Sequence, residues 1–173
     1  QKHGLFHWAL MFPEVFANGG FDVIIGNPPY VDSELHSRIH PKERSFLTQN
    51  YKTTQGNWDL FVPFVERALS LLKPQGVLAL VTPEKIISAE YCAHLQQILL
   101  SKQWTELHCY SALDLFQGAQ VTVAISVVRN QSSHRNSKLV YHSHTKEAST
   151  SRSAAVQLLR QLPPGFLTFP LRC

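Results

Sequence analysis

Cysteine is scarce in this 173-residue sequence, occurring only as Cys92, Cys109 and Cys173. An odd count with no C-x-x-C pair excludes a disulfide framework and a thiolate zinc site. It also points to a reducing, cytoplasmic setting. Methionine occurs once, at Met11, and not at position 1. The opening Gln1-Lys2-His3-Gly4 has no signal-peptide layout, so the expectation is a chain cut from something longer. No apolar run approaches the roughly 18 residues that span a bilayer, and no membrane partner is expected. Charged residues are few, at 16%, against 44% hydrophobic, a composition that folds into a core rather than staying disordered. Only eight glycines are present, and none forms a G-x-G ahead of residue 27. The first 26 residues therefore carry no glycine-rich nucleotide loop.

The charge that is present is unevenly placed. Residues 1–128 hold nine Lys/Arg against eleven Asp/Glu, whereas residues 129–173 hold seven against one. A basic tail suits a phosphate backbone, and it equally suits a solvated tail with no partner.

Apolar periodicity reads as alternating strand and helix. Phe21-Asp22-Val23-Ile24-Ile25, bracketed by glycines, predicts a buried strand of a parallel sheet. Residues 31–56 are polar without a sustained period and read as a long loop or weak helix. Asn57 is placed to cap a short turn, Trp58 to Phe61. Pro63 predicts a helix start nearby, since proline clashes in a helix interior. That helix runs through Phe64, Val65, Ala68, Leu69 and Leu72, and Lys73-Pro74-Gln75-Gly76 stops it. A second buried strand follows at Val77 to Val81, then a helix at about 86–101, a third strand at Thr105 to Tyr110 and a fourth at Val121 to Val128. Residues 130–137 read as a linker, followed by a weak strand at 138–142 and a short helix at 153–161. The order is α/β, ending in two successive strands that predict an antiparallel hairpin at one sheet edge. Domain expectations follow from this: residues 1–129 are the catalytic portion, and residues 130–173 are a linker and basic tail, or the start of a following domain.

The segment with most chemical content is Asn27-Pro28-Pro29-Tyr30, directly after the first strand. Open α/β sheets bind ligands beyond the carboxyl ends of their strands. Two prolines fix two φ angles and remove two N–H donors. The Asn27 side-chain oxygen and the Pro28 carbonyl are then rigid acceptors for one spot, with the flat face of Tyr30 beside them. The plain alternative is a stiff turn with a packing tyrosine. Two acceptors and a stacking ring suit a planar aromatic amine such as adenine. Its amino nitrogen shares its lone pair with the ring and is a poor nucleophile. Accepting hydrogen bonds from both N–H groups frees that pair, and the bonds strengthen as charge develops on nitrogen. A base inside a duplex must be flipped out to reach such a pocket.

Placed after Phe21 to Gly26, this tetrapeptide resembles motif IV of the amino-group DNA methyltransferases. Phe6-His7-Trp8, Phe12-Pro13-Glu14-Val15-Phe16 and Gly19-Gly20 resemble the approach to that motif in type IIG restriction–modification enzymes and their TaqI-like relatives. Asn57-Trp58-Asp59-Leu60-Phe61 with Phe64-Val65-Glu66-Arg67, and Leu72 to Leu78 with Val81-Thr82-Pro83, resemble the two motifs that follow. Leu115 to Thr122 resembles motif VIII. The resemblance covers residues 5–130 in order. It implies the later half of a Rossmann-like methyltransferase sheet with its first strands missing. It further implies methyl transfer from S-adenosyl-L-methionine (AdoMet) to the 6-amino group of adenine in double-stranded DNA, in a prokaryotic restriction–modification system. By position, Asn27 and Pro28 hold the amino group, Tyr30 and Phe116 sandwich the flipped base, and Phe64 and Pro29 touch the cofactor.

Two departures qualify the resemblance. The family's glycine-rich cofactor loop and ribose-binding acid are not found in residues 1–26, and within this sequence only the basic tail stands where such enzymes carry a target-recognition domain. The cofactor site is thus incomplete in this chain, which is expected to bind AdoMet weakly or not at all and to be inactive alone. The missing parts are expected in cis or on a partner chain. The absence of any Pro-Cys dipeptide argues against a ring-carbon methyltransferase with a thiolate nucleophile. His142-Ser143-His144 has no acid or cysteine nearby at ligand spacing, and no metal is expected there. Two other readings stay open: a protein-glutamine or RNA methyltransferase of the same fold, and a non-catalytic fragment.

Overall fold

A computed structural model describes residues 6–110, 122–134 and 138–144. Two short helices, α1 (Trp8–Met11) and α2 (Pro13–Ala17), lead into strand β1 (Phe21–Gly26). Their aromatics converge on the first residue of that strand. Trp8, Phe12 and Phe16 set ring centroids 5.8, 5.7 and 5.6 Å from Phe21, all in edge-to-face contact. Such pairs contribute about 0.5–1.5 kcal/mol each beyond area burial. The turn into β1 needs glycine at Gly20, where φ is +121° and an added Cβ would lie 2.5 Å from the Leu71 carbonyl oxygen.

Of the two readings of the polar stretch after β1, a long loop or weak helix, the helical one holds. It forms α3 (Ser33–Ile39) and α4 (Pro41–Asn50). Asp32 caps α3, its carboxylate accepting from Leu35 N at 2.7 Å, and Pro41 opens α4. Periodicity gave no bounds for either, because neither helix is buried along one continuous apolar stripe.

Helix α5 (Phe61–Leu71) starts two residues before Pro63. Proline is tolerated there because first-turn N–H groups have no intrahelical partner. The helix buries Phe61, Val62, Val65, Ala68 and Leu69 and hands over directly to strand β2 (Leu72–Pro83). Lys73 to Gly76 stops the helix as expected, and it also forms an excursion in the strand register. Phe21 pairs with Leu72, but Val23 pairs with Val77. Polar groups secure the excursion: Lys73 pairs with Asp22, Asn130 donates to the carbonyls of Leu72 and Lys73, and Arg129 donates to that of Gln75.

Then come α6 (Lys85–Ser88), a 3₁₀ turn (Glu90–Cys92), α7 (Ala93–Ser101), β3 (Lys102–Cys109), β4 (Val123–Ser132) and β5 (Val140–Ser143). The sheet order is β1-β2-β4-β3-β5. β1 runs parallel to β2, while β4 runs antiparallel to both β2 and β3. The last long strand therefore inserts between its two predecessors. β3 and β4 are antiparallel as expected, but the sheet edge belongs to β5, which lies parallel to β3. The expected linker is corrected over Asn130–Ser132, which end β4 instead. The core lies between the sheet and its helices around Ile24, Trp58, Phe61, Leu78, Leu80, Leu95 and Leu99. Each such side chain contributes about 1.5–3 kcal/mol by leaving water. Among the described residues, no helix is long and apolar enough to cross a membrane.

Candidate active site

The sheet brings several chain segments to one end. Gly26, the last residue of β1, sits beside Leu80, and Pro83, the last of β2, sits beside Val123, the first of β4. Cys109, the last of β3, pairs with Ala124. Asn27 to Tyr30 leaves β1 at this end. Tyr110 and Thr122, which flank the stretch containing Phe116, lie at the same end; Phe116 itself lies outside the described residues.

Within the corner, Asn27 is exposed, Pro28 is buried, and Pro29 and Tyr30 are half-buried. The Tyr30 hydroxyl donates to the carbonyl of Val81 at 3.0 Å, so the neighbouring strand holds the ring by its far end. Burial raises the Tyr30 pKa well above that of an ordinary phenol, so the hydroxyl stays a donor.

The chain after Tyr30 is anchored by residues from a distant segment. Leu60 N donates to the Val31 carbonyl at 2.9 Å, and Ser33 N donates to Asp59 Oδ1 at 3.2 Å. The other Asp59 oxygen accepts from the Tyr91 hydroxyl at 2.7 Å, with Lys85 Nζ at 3.7 Å. Ser33 Oγ hydrogen-bonds Asn57 Oδ1. Asn57 thus serves α3 rather than capping a turn before α5, and Leu60 occupies the cap position of that helix.

Trp58 is buried, and the Arg44 guanidinium lies 3.5 Å from its ring centroid while donating to its carbonyl at 2.6 Å. Glu66 on α5 accepts from Lys52 N, Thr53 N and Thr53 Oγ1. The contacts of Asp59, Tyr91, Arg44 and Glu66 were not anticipated from the sequence. The only signal for them in the sequence was the cluster Asn57-Trp58-Asp59 followed by Glu66.

Phe64 is half-buried on α5, flanked by the buried Pro63 and Val65. A ring left partly accessible there, with the half-buried Pro29 at the corner, fits the share of an AdoMet site expected from this chain. Neither described cysteine is activated. Burial, reinforced by the Asp59 charge, pushes the Cys92 thiol up to about 12, and burial raises Cys109.

Comparison with known proteins places this geometry. The family model for the Eco57I restriction-modification methylase matches residues 1–116. The type II restriction enzyme and methyltransferase RM.Eco57I of Escherichia coli is 28% identical over 125 residues, which is 72% of this chain and 12% of that protein. The chain therefore spans about an eighth of that relative. A protein of Listeria monocytogenes, described as a class I S-adenosylmethionine-dependent methyltransferase, superposes with a TM-score of 0.54 at 14% identity, over 82% of this chain and 42% of that one. The Type ISP restriction-modification enzyme LlaGI, solved with a DNA substrate mimic, gives 0.54 at 20% identity, over 86% and 17%. At these identities the likeness is one of fold: the sheet is part of a Rossmann-like architecture of the kind those methyltransferases have. By the family match over two thirds of its length, the chain belongs to the Eco57I restriction-modification methylase family.

Proposed function

We propose that this chain is the catalytic portion of an adenine-specific DNA methyltransferase of a restriction–modification system. The observation that carries the proposal is the corner itself. Asn27 is exposed at the carboxyl end of a parallel strand, on a diproline step, beside a tyrosine ring whose hydroxyl is tied to Val81.

In this reading the adenine amino group donates one hydrogen bond to the Asn27 side-chain oxygen and one to the Pro28 carbonyl. The diproline step stiffens the backbone that carries the Pro28 carbonyl, so little reorganisation of that acceptor is needed as positive charge grows on the nitrogen. Tyr30 stacks on the flipped base, and Phe116 covers its other face. AdoMet supplies an electrophilic methyl group on a sulfonium sulfur. Phe64 and Pro29 hold one side of that cofactor, and the rest of its site comes from a glycine-rich segment in cis or on a partner chain. Asp59 and Leu60 fix the chain beyond Tyr30, so the corner keeps its shape when the base enters. Double-stranded DNA is the substrate, and the basic residues beyond 128 are suited to its phosphates.

The test is transfer of a labelled methyl group by the protein that unites this chain with its cofactor-binding segment. Duplex DNA, release factor and structured RNA serve as competing acceptors. Transfer to DNA that falls by about two to four decades in Asn27→Ala supports the reading. Undiminished turnover in that variant, or a preference for the protein or RNA acceptor, overturns it.

A further inference from the structure

We infer that Glu106, His108 and His142 form a binding site for a divalent transition-metal ion of the zinc class, which clips edge strand β5 to β3. One acceptor atom from each of the three lies within 4.8 Å of the others. Two imidazoles and a carboxylate are a donor set that zinc, nickel and copper share. Sequence spacing hides this set, because Glu106 and His142 are far apart along the chain. Strand pairing creates it: His108 and His142 are register partners on parallel strands, and Glu106 lies two residues before His108 on the same face.

The pair on β3 is nearly set for an ion. Glu106 Oε2 and His108 Nε2 are 3.0 Å apart, joined through a shared proton. Bonds of about 2.0–2.1 Å at a tetrahedral angle hold two ligand atoms about 3.4 Å apart. An ion replacing that proton therefore opens the pair by only a few tenths of an ångström.

His142 completes the set by turning. Its ring now lies face to face on that of His108, with centroids 4.2 Å apart and planes 6° apart. Binding swings its edge toward the ion. It is free to do so because it is only half-buried on a four-residue edge strand whose other side chains are exposed.

His144 orients the site from behind. Its Nε2 lies 3.1 Å from His108 Nδ1. Accepting the proton there leaves His108 Nε2 bare for the ion, the usual role of an outer partner to a metal-bound histidine. Three strand steps separate β3, and four separate β5, from β1, roughly 14–19 Å at ~4.8 Å per strand. The inferred role of the ion is to hold β5 on β3, apart from the methyl transfer proposed at the end of β1.

The test uses the full chain, stripped with a chelator and titrated with zinc by calorimetry at neutral pH. The expected result is one zinc per chain with a dissociation constant of about 10 μM or tighter, weakened at least tenfold in His142→Ala and in Glu106→Gln. His144→Ala weakens it by about 10–100-fold, and His94→Ala, on the exposed side of α7, leaves it unchanged. His142 and Glu106 are not core residues, so unchanged far-ultraviolet circular dichroism in both variants verifies the fold. Absence of stoichiometric zinc binding by the wild-type chain, or equal binding by folded His142→Ala, overturns the inference.

Discussion

Tyr30 is joined to Val81 by its hydroxyl, 3.0 Å from the carbonyl at the end of the adjacent strand. The bond fixes the ring that the proposed mechanism uses as a stacking face. Tyr30→Phe keeps the face and removes the tether, so methylation efficiency is expected to fall by the equivalent of about 0.5–1.5 kcal/mol. Tyr30→Ala removes the face as well and is expected to weaken capture of a flipped base by about 1–3 kcal/mol. Steady-state methyl transfer, with a fluorescent base analogue reporting capture, separates the two. Equal losses in both variants would show that the ring itself contributes nothing.

Asp59 links three elements through Ser33, Tyr91 and Lys85. Asp59→Ala strands a buried N–H and a half-buried hydroxyl, and is expected to destabilise the fold by about 2–4 kcal/mol. Asp59→Asn retains one acceptor oxygen and should lose less than half of that. Urea denaturation midpoints at constant m-value measure the difference. An Asp59→Ala midpoint equal to wild type would remove Asp59 from the account of how the corner is held.

Two glycines give contrasting forecasts. At Gly20 an added Cβ meets the Leu71 carbonyl oxygen at 2.5 Å and Lys73 N at 2.9 Å, all of it backbone. Gly20→Ala is expected to cost more than ~3 kcal/mol, because strands and turn must shift together. At Gly56 φ is +69° but nothing lies within 4 Å. Gly56→Ala carries only the left-handed backbone penalty, about 1–2 kcal/mol. Thermal denaturation of both variants ranks them, and a reversed order would refute the register excursion at Lys73.

His36 sets an acid limit on stability. It is buried beside Trp58, with centroids 5.8 Å apart, and burial lowers its pKa, an effect that Glu43 at 3.7 Å partly offsets. The folded state thus binds a proton less readily than the unfolded chain, whose histidine titrates near 6.5. Stability is fully present above that pH and is lost as pH falls below it. His36→Phe should flatten the decline below about pH 6.5 relative to wild type. Parallel stability–pH curves for the two proteins would assign the decline to other groups, such as His144.

The site motif was legible in one dimension because its chemistry is local. A diproline step between an asparagine and a tyrosine is rigid wherever it sits, and a β-branched run before it reads as a strand without tertiary information. The same holds for Lys73 to Gly76, whose residue types stop a helix by their own torsional limits. The helices α3 and α4 were legible only as one of two alternatives, without bounds, because their stability comes from contacts. Arg44 on Trp58, Ser33 on Asp59 and the cap at Asp32 order a segment whose apolar pattern is weak. The span of β4 through Ser132 was hidden for a similar reason, since Asn130 looks like a turn residue until its amide meets the carbonyls of Leu72 and Lys73.

By itself the sequence determined the family, the alternation of strands and helices, and the corner at Asn27 to Tyr30, all of which depend on short-range residue order. Tertiary structure alone decided that β4 enters between β2 and β3, that Asp59 steadies the chain after Tyr30, and that Glu106, His108 and His142 meet. Those outcomes depend on strand order and register, which bring together residues whose separation along the chain carries no signal.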